Sequence, residues 1–153
     1  MSLTIYTRSF DRLDSSHSLD DLPRLLAEKT PFWLDLDGET PELRDALIST
    51  LHLHPLAVED VFQERMNPKV EDYGDYLYVV IHGIALEHDS PDDLRTVEID
   101  LIVGAQWVVS HHPRDLSAID EVLGECRRNP RLFDKGPAFV AHAIMDHAVD
   151  CYF

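Results

Sequence analysis

The chain has 153 residues, of which 44% are apolar, and its 29 acidic and 13 basic side chains leave a formal net charge of -16. A surface this acidic repels the phosphates of nucleic acids and of anionic lipid headgroups, which argues against direct contact with either, and it attracts cations. The length and composition fit a single globular domain that buries roughly 70% of its unfolded surface.

The first part of the chain predicts two strands, each followed by a helix. Ser18 heads the segment SLDDLPRLLAEK with Asp21 three residues on, which is the pattern of a capping box at a helix start. Thr40 before Pro41 predicts an N-cap and a first-turn proline for the second helix. The two strands are SLTIYT (2–7) and the compact apolar run PFWLDL (31–36).

The second part predicts an α/β fold, a mixed β-sheet of about five to seven strands flanked by helices on both faces. A third helix is expected from Pro55 to about Met66. YLYVVIHGIAL (76–86) is too apolar for a strand with one wet face, so we expect it at the centre of the sheet. The other predicted elements are the strands LRTVEIDLIV (94–103) and WVVSHH (107–112), joined by a turn at GAQ, and two closing helices in 115–128 and 137–153.

The last helix is apolar over more than half of its circumference. Its stripe runs along Ala141, Met145, Ala148, Val149 and Tyr152, and no Gly, Asn or Pro follows to end the helix. We therefore expect this helix to continue in a longer protein. The predicted organisation is an α/β domain in residues 1–136 and the start of a truncated long helix in residues 137–153.

The sequence also carries signs of cellular location. MSLTIYTRSFDRL lacks the apolar run of a signal peptide, and no segment approaches the roughly 20 apolar residues of a membrane span. Cys126 and Cys151 do not form a C-x-x-C motif. We expect a reduced, cytoplasmic protein, and the sequence leaves open one disulfide between these two cysteines.

WLDLDGET (33–40) suggests an enzyme, because D-x-D-G-T loops supply the nucleophile and the acid/base of haloacid-dehalogenase-like phosphatases. Asp35 and Asp37 would take these roles. However, Glu39 stands where the threonine is required, and the helix that begins at Pro41 leaves no room for the usual cap insertion. The chain also lacks G-x-S-x-G, P-loop and G-x-G-x-x-G motifs. We expect no enzymatic activity and a structural role for both aspartates.

The histidines are poorly spaced for a zinc site. His111 and His112 are adjacent on a predicted strand, so their side chains point to opposite faces, and no Cys/His quartet or H-E-x-x-H motif is present. The carboxylates are better placed. Asp60 and Glu64 lie one turn apart on the outer face of the third helix beside Glu59, and Asp146 lies four residues before Asp150 on the last helix.

Such pairs of like charges repel, and a hard cation such as Mg²⁺ or Ca²⁺ would turn this repulsion into coordination. The alternative for these carboxylates is a solvated acidic face without a ligand.

The block LHLHPLAVEDVFQERMNPKVEDYGDYLYVVIHG (51–83) resembles the cytoplasmic domain of CorA-type magnesium/cobalt transporters. The family shows an H-P-L segment that ends in E-D, then a stretch like R-P-K-V-E and an aromatic-rich strand. These correspond to His54–Asp60, Asn67–Glu71 and Tyr73–Val80. AIMDHAVDCYF (143–153) resembles the start of the family's long stalk helix, and the likeness extends back to Phe32.

The resemblance implies a homopentameric channel in the plasma (inner) membrane that conducts Mg²⁺ and often Co²⁺. Its cytoplasmic domains would bind regulatory Mg²⁺ between neighbours, and the ion would hold the channel closed. The matching positions here are Glu59, Asp60 and Asp146. In the isolated, soluble chain this binding is expected to be weak, and contact with the membrane would come only through helices beyond this sequence.

Two alternatives remain. His147 and Cys151 lie beside the acidic positions and favour a transition metal, so a related zinc transporter is one of them. The G-M-N signature of the family's pore is absent from the sequence. A stand-alone acidic metal-binding or interaction module is the other.

Overall fold

The computed structural model describes residues 2–63, 66–86, 94–112 and 116–150. Within these residues, seven strands form one mixed sheet in the order β2-β1-β3-β7-β6-β5-β4. Only the pairing of β3 with β7 is parallel among the described strands. The strands are β1 (Ser2–Ser9), β2 (Arg12–Asp14), β3 (Phe32–Asp37), β4 (Lys69–Asp72), β5 (Tyr76–Leu86), β6 (Leu94–Gly104) and β7 (Trp107–His111).

Helices cover both faces of the sheet, as predicted. The chain alternates sides along β3: Phe32, Leu34 and Leu36 pack into one core, and Trp33 packs into the other. The first core lies between the sheet and helices α1, α2 and α3, and this side of the domain is called the α3 face below. The second core lies between the sheet and helices α4 and α5, and that side is called the α5 face. The helices are α1 (Leu22–Ala27), α2 (Pro41–Ser49), α3 (Pro55–Phe62), α4 (Ser117–Arg128) and α5 (Pro137–Asp150), with short 3-10 helices at Leu19–Asp21 and Pro130–Lys135.

Strand β5 is not central, and that prediction was wrong. It lies one strand in from the edge, between β6 and the short edge strand β4, and β7 occupies the middle of the sheet. Its apolar composition has another cause: Tyr78 and Val80 belong to the core on the α3 face, whereas Val79 belongs to the core on the α5 face. A strand covered on both sides is apolar wherever it stands in the sheet.

Two of the predicted helix starts show the capping contacts that the sequence led us to expect. The Oγ1 atom of Thr40 accepts a hydrogen bond of 3.1 Å from the Leu43 amide, as expected of an N-cap. The Ser18 amide donates to Asp21 Oδ2 at 2.9 Å, which is the acidic half of the predicted capping box.

Helix α3 ends at Phe62 and does not reach Met66 as predicted. Gln63 is extended, with φ of -83° and ψ of 133°. The Met66 amide donates to Glu98 Oε1 at 2.6 Å, and the Met66 carbonyl accepts from His82 Nε2 at 2.7 Å. Glu98 of β6 therefore accepts from an amide that a longer helix would have paired with the Phe62 carbonyl, and His82 of β5 donates to the carbonyl of the same residue. Glu64, one of the predicted acidic positions, lies outside the described residues.

Helix α5 begins at Pro137, and its buried side follows the predicted stripe at Ala141 and Ala148 but not at Val149. Ile144 and Ala148 are buried, Met145 is partly buried, and Val149 is 50% exposed. Cys151 and Tyr152, which also belong to the predicted helix, lie outside the described residues. The division of the chain into two parts at residue 136 stays a prediction. Among the described residues, no helix combines the length and the apolar composition needed to cross a membrane.

Candidate functional site

The start of α3 is anchored to strand β5. His54 caps the helix, because its Nδ1 accepts from the Leu56 amide at 3.0 Å, and its own amide donates to the Tyr76 hydroxyl at 2.8 Å. Val58 and Val61 are buried against the sheet. This orientation leaves Glu59 exposed, whereas Asp60 is half-buried on the side of the helix that faces strand β4.

Asp60 is already paired within the chain. Lys69 Nζ lies 3.1 Å from Asp60 Oδ2 and also forms an ion pair with Glu71. Burial disfavours the Lys69 ammonium, but the hydrogen bonds to Glu71 and Asp60 outweigh it and raise the pKa of Lys69. The hydrogen bond from Lys69 is also the main reason why the pKa of Glu71 is lowered. Residues 60, 69 and 71 thus form a charged triad between α3 and β4, which the sequence did not reveal.

Asp146 lies far from this triad in the fold. It is exposed on α5, whose buried residues pack on the α5 face, whereas α3 packs on the opposite face of the sheet. In the described ranges, no group of three or more His, Cys, Asp or Glu side chains is placed to hold one metal ion. Carboxylates are the ligands that Mg²⁺ prefers. One copy of the chain does not bring Glu59, Asp60 and Asp146 together, so the predicted set fits a metal only if two copies share it.

A second polar cluster is buried beneath α3. The Tyr78 hydroxyl donates to Asp100 Oδ2 at 2.6 Å, and Asp100 is only 2% exposed. Burial raises the pKa of Asp100 to about 8; the hydrogen bond from Tyr78 opposes this rise, and nearby Glu98 reinforces it. Burial, followed by the contact with Asp100, also raises the pKa of Tyr78 strongly.

The other oxygen of this carboxyl group lacks a donor. Within the described structure, Asp100 Oδ1 has no hydrogen-bond partner. A side-chain interaction with Glu98 contributes to the raised pKa of Asp100, and two carboxyl groups can share a hydrogen bond only when one of them carries a proton. The alternation of β6 contained the signal for this cluster: apolar residues at Val97, Ile99 and Leu101 put Asp100 on the other face, which helices also cover.

The aspartates of the phosphatase-like motif stand at the end of β3. Ser110 Oγ donates to Asp35 Oδ1 at 2.5 Å and accepts from Trp33 Nε1 at 2.7 Å, and His112 Nε2 lies 2.7 Å from the same carboxylate oxygen. Asp35 therefore ties β3 to residues of β7 and of the loop after it. This contact agrees with the structural role predicted for Asp35.

The adjacent histidines point to opposite faces, as predicted. The His111 ring packs edge-on against Phe62 of α3 at 5.0 Å, whereas His112 binds Asp35 on the other side. Burial, followed by the charge of His112, lowers the pKa of His111. A cavity of about 900 Å³ opens beside both rings. Residues 64–65 and 113–115, which adjoin its walls in sequence, lie outside the described residues, and we assign no ligand to it.

Comparison with known proteins identifies the family. The family model described as "CorA-like Mg2+ transporter protein" matches residues 28–153. The chain belongs to this family. It is 36% identical over 126 residues to the "Putative metal ion transporter YfjQ" of Bacillus subtilis, covering 80% of this chain and 37% of the relative. It is 29% identical over 119 residues to the "Zinc transport protein ZntB" of Yersinia pestis, covering 77% and 34%.

Solved structures share the fold. The full-length CmaX protein matches with a TM-score of 0.72 at 22% identity, covering 98% of this chain and 45% of that one. The soluble domain of CorA from Methanocaldococcus jannaschii matches with a TM-score of 0.71 at 16% identity, covering 99% and 57%.

The family and the α/β fold read from the sequence are thereby confirmed, and the family is one of metal transporters, not of enzymes. The chain spans about a third of the length of the two curated relatives named above.

Proposed function

We propose that this chain is the cytoplasmic regulatory domain of a CorA-type channel that conducts Mg²⁺, and often Co²⁺, and senses intracellular Mg²⁺ at its subunit interfaces. The family match supports the transporter, and one geometric observation supports the sensing. Glu59 and Asp60 lie on the α3 face, and Asp146 lies on the α5 face, so a single copy holds two separate halves of a carboxylate site.

A closed ring of identical subunits would join these halves. In a cyclic ring with more than two members, each subunit meets its neighbour through two different surfaces, one on each side. If the α3 face of one copy meets the α5 face of the next, Asp60 and Asp146 approach each other at every interface. In the pentamer we propose, Mg²⁺ with several of its water molecules would bridge them, with Glu59 beside the pair.

The net charge of the chain explains why an ion at the interface would favour the closed state. A net charge of -16 on each copy opposes the close approach of five such domains. A cation bound only at the assembled interface offsets that repulsion and stabilises the assembled, closed state by mass action. A fall in intracellular Mg²⁺ would then loosen the ring and favour opening. In this proposal the domain lies at the cytoplasmic side of the inner membrane, and helix α5 is the start of the stalk helix.

Zinc is the second candidate ion. The similarity to ZntB favours it, as does the position of His147 beside Asp146. However, His147 Nδ1 lies 2.6 Å from Glu121 and Nε2 lies 2.8 Å from Glu125, both on α4. Because carboxylates of the same chain contact both nitrogens of the His147 imidazole, neither nitrogen is available to bind a metal ion at the subunit interface. We therefore favour Mg²⁺ as the sensed ion.

The proposal is tested in the full-length transporter, reconstituted in vesicles, by measuring divalent ion flux against Mg²⁺ on the cytoplasmic side. Replacing both Asp60 and Asp146 with Ala should raise the Mg²⁺ concentration that closes the channel. The matched variant replaces Asp75 and Asp120, which are exposed and carry the same charge, and it should close as the wild type does. If the Asp60/Asp146 variant also closes at the wild-type concentration, these residues are a solvated acidic face.

A further inference from the structure

The carboxylate of Asp60 has a cation of its own in the folded chain. Lys69 Nζ lies 3.1 Å from Asp60 Oδ2, and the two side chains are only 25% and 27% exposed. A divalent ion that coordinates Asp60 would bring a second positive charge to a carboxylate whose Oδ2 already holds the ammonium. The two cations repel each other at this distance and therefore compete for the carboxylate.

The fold fixes Lys69 in this position. Lys69 and Glu71 stand two residues apart on edge strand β4, in register with Val80 and Tyr78 of β5, so both side chains point to the α3 face. The Lys69 ammonium also lies 5.0 Å from the centre of the Tyr78 ring, a cation–π distance. A lysine held by a ring and two carboxylates loses less side-chain entropy in the ion pair than a free surface lysine does.

We propose that Lys69 is the resident cation of the Asp60 carboxylate, and that a divalent ion binds Asp60 only by displacing the Lys69 ammonium. The identity of the ion as Mg²⁺ rests on the function proposed above. Lys69 then sets the ion concentration at which Asp60 becomes available to a neighbouring subunit. Below this concentration, Lys69 of the same chain neutralises the Asp60 carboxylate. Above it, the divalent ion replaces the Lys69 ammonium on Asp60.

Glu71 makes this exchange feasible. A half-buried ammonium that lost Asp60 without another acceptor would be left with an unpaired charge, which is costly. Lys69 already contacts Glu71 as well as Asp60. When the ion takes Asp60, the ammonium keeps Glu71 as its partner and stays on β4. Glu71 therefore lowers the cost of displacement without itself needing to bind the ion.

The test is calorimetric titration of the 153-residue chain with MgCl₂ at constant ionic strength. Lys69→Met keeps an apolar side chain of similar length and removes the ammonium, so Mg²⁺ should bind about two- to fivefold more tightly than to the wild type. Lys135→Met is the matched control, because it removes the same charge from the surface beside Phe139 on the other side of the fold. Adding Asp60→Asn to Lys69→Met should abolish the gain.

Equal affinities of Lys69→Met and Lys135→Met for Mg²⁺ would overturn the proposal, since net charge alone would then explain any gain. Glu71→Gln provides an independent arm that leaves Lys69 in place: Lys69 should hold Asp60 more firmly, and Mg²⁺ should bind more weakly. Tighter or unchanged binding in Glu71→Gln contradicts the exchange.

These measurements need no neighbouring subunit, so they separate the two proposals. Suppose that Lys69→Met binds Mg²⁺ more tightly through Asp60, but the full-length Asp60/Asp146 variant closes normally. The role of Lys69 is then retained and the sensing function is rejected. If closure is impaired and the Mg²⁺ affinity of Lys69→Met is unchanged, only the role of Lys69 is rejected.

Discussion

The hydroxyl of Tyr78 on β5 donates a hydrogen bond of 2.6 Å to the carboxyl group of Asp100 on β6, and both side chains are buried in the core beneath α3. This pair places an ionisable group where ionisation is expensive. Desolvation outweighs the stabilising hydrogen bond, and the pKa of Asp100 rises from 3.8 to about 8. Burial therefore favours the neutral form of the Asp100 carboxyl group in the folded domain.

Asp100 should make stability depend on pH. Because the pKa is about 8 in the folded state and near 3.8 in the unfolded chain, the folded state binds more protons between these values. The contribution is fully present below pH 3.8 and is lost as the pH rises through 8, with a slope of at most about 1.4 kcal/mol per pH unit. Urea unfolding of the wild type and of Asp100→Asn between pH 5 and pH 8.5 measures it.

The Asn variant stays neutral at every pH, so its stability should fall less steeply with rising pH than that of the wild type. Asp75→Asn, at an exposed position, should keep the wild-type slope. Parallel curves for Asp100→Asn and the wild type would show that Asp100 is ionised in the folded protein at neutral pH.

The Tyr78 hydroxyl should itself contribute to stability. Tyr78→Phe removes the donor and leaves a buried oxygen of Asp100 without its partner, at a cost of about 1–3 kcal/mol. Tyr73→Phe is the comparison, because the Tyr73 hydroxyl donates to Glu71 Oε2 at 3.3 Å, and the Glu71 side chain is 40% exposed. Its loss should cost less than about 1 kcal/mol. Equal urea midpoints for the two variants would contradict the assignment of Tyr78 to a buried network.

The N-cap of α2 gives a prediction from a single local contact. Thr40→Ala removes the acceptor of the Leu43 amide and should cost about 1 kcal/mol in the free energy of unfolding. Thr40→Ser retains a hydroxyl at the same place and should recover most of that loss. Urea unfolding of the three proteins at one pH decides this, and equal losses for Ala and Ser would show that the hydroxyl is not the source of the stability.

Asp35 should matter for stability and not for chemistry. Asp35→Asn exchanges a carboxylate that contacts Ser110 and His112 for a neutral amide, which we expect to lower the free energy of unfolding by about 1–3 kcal/mol. The wild type should release no phosphate from a generic phosphoester such as p-nitrophenyl phosphate. Turnover that Asp35→Asn abolishes would restore the phosphatase hypothesis.

Features coded by neighbouring residues were predictable from the sequence, and those that depend on distant parts of the chain were not. The Thr40 cap and the turn between β6 and β7 follow from adjacent residues. Strand β4 was missed, because its four residues, three of them charged, become a strand only by pairing with β5. The end of α3 was misplaced, because Glu98 and His82, from distant strands, bind the backbone of Met66.

The candidate site shows the same limit. The helical phase of α3 separated Asp60 from the buried Val58 and Val61, since it depends on residues within two turns. It could not show that Lys69, on the edge strand β4, forms an ion pair with the Asp60 carboxylate. The placement of Asp146 on the opposite face is a property of the topology, so the sequence alone did not show that the predicted ligands are divided between two surfaces.

This division predicts how the isolated chain responds to Mg²⁺. With only half of a carboxylate site on each face, and with Lys69 on Asp60, one copy should bind the ion weakly. At a Mg²⁺ concentration equal to the dissociation constant, binding adds only about 0.4 kcal/mol to the free energy of unfolding. For a domain of this size, that corresponds to a rise of about 1–2 °C in melting temperature. Millimolar MgCl₂ should produce a shift of this order, measured against NaCl of equal ionic strength. Asp60→Asn and Asp146→Asn should each remove part of the shift, and their effects should add, because the two residues lie on separate faces. A much larger shift, abolished by either substitution alone, would mean that a single chain forms a complete site, and the division between two subunits would be wrong.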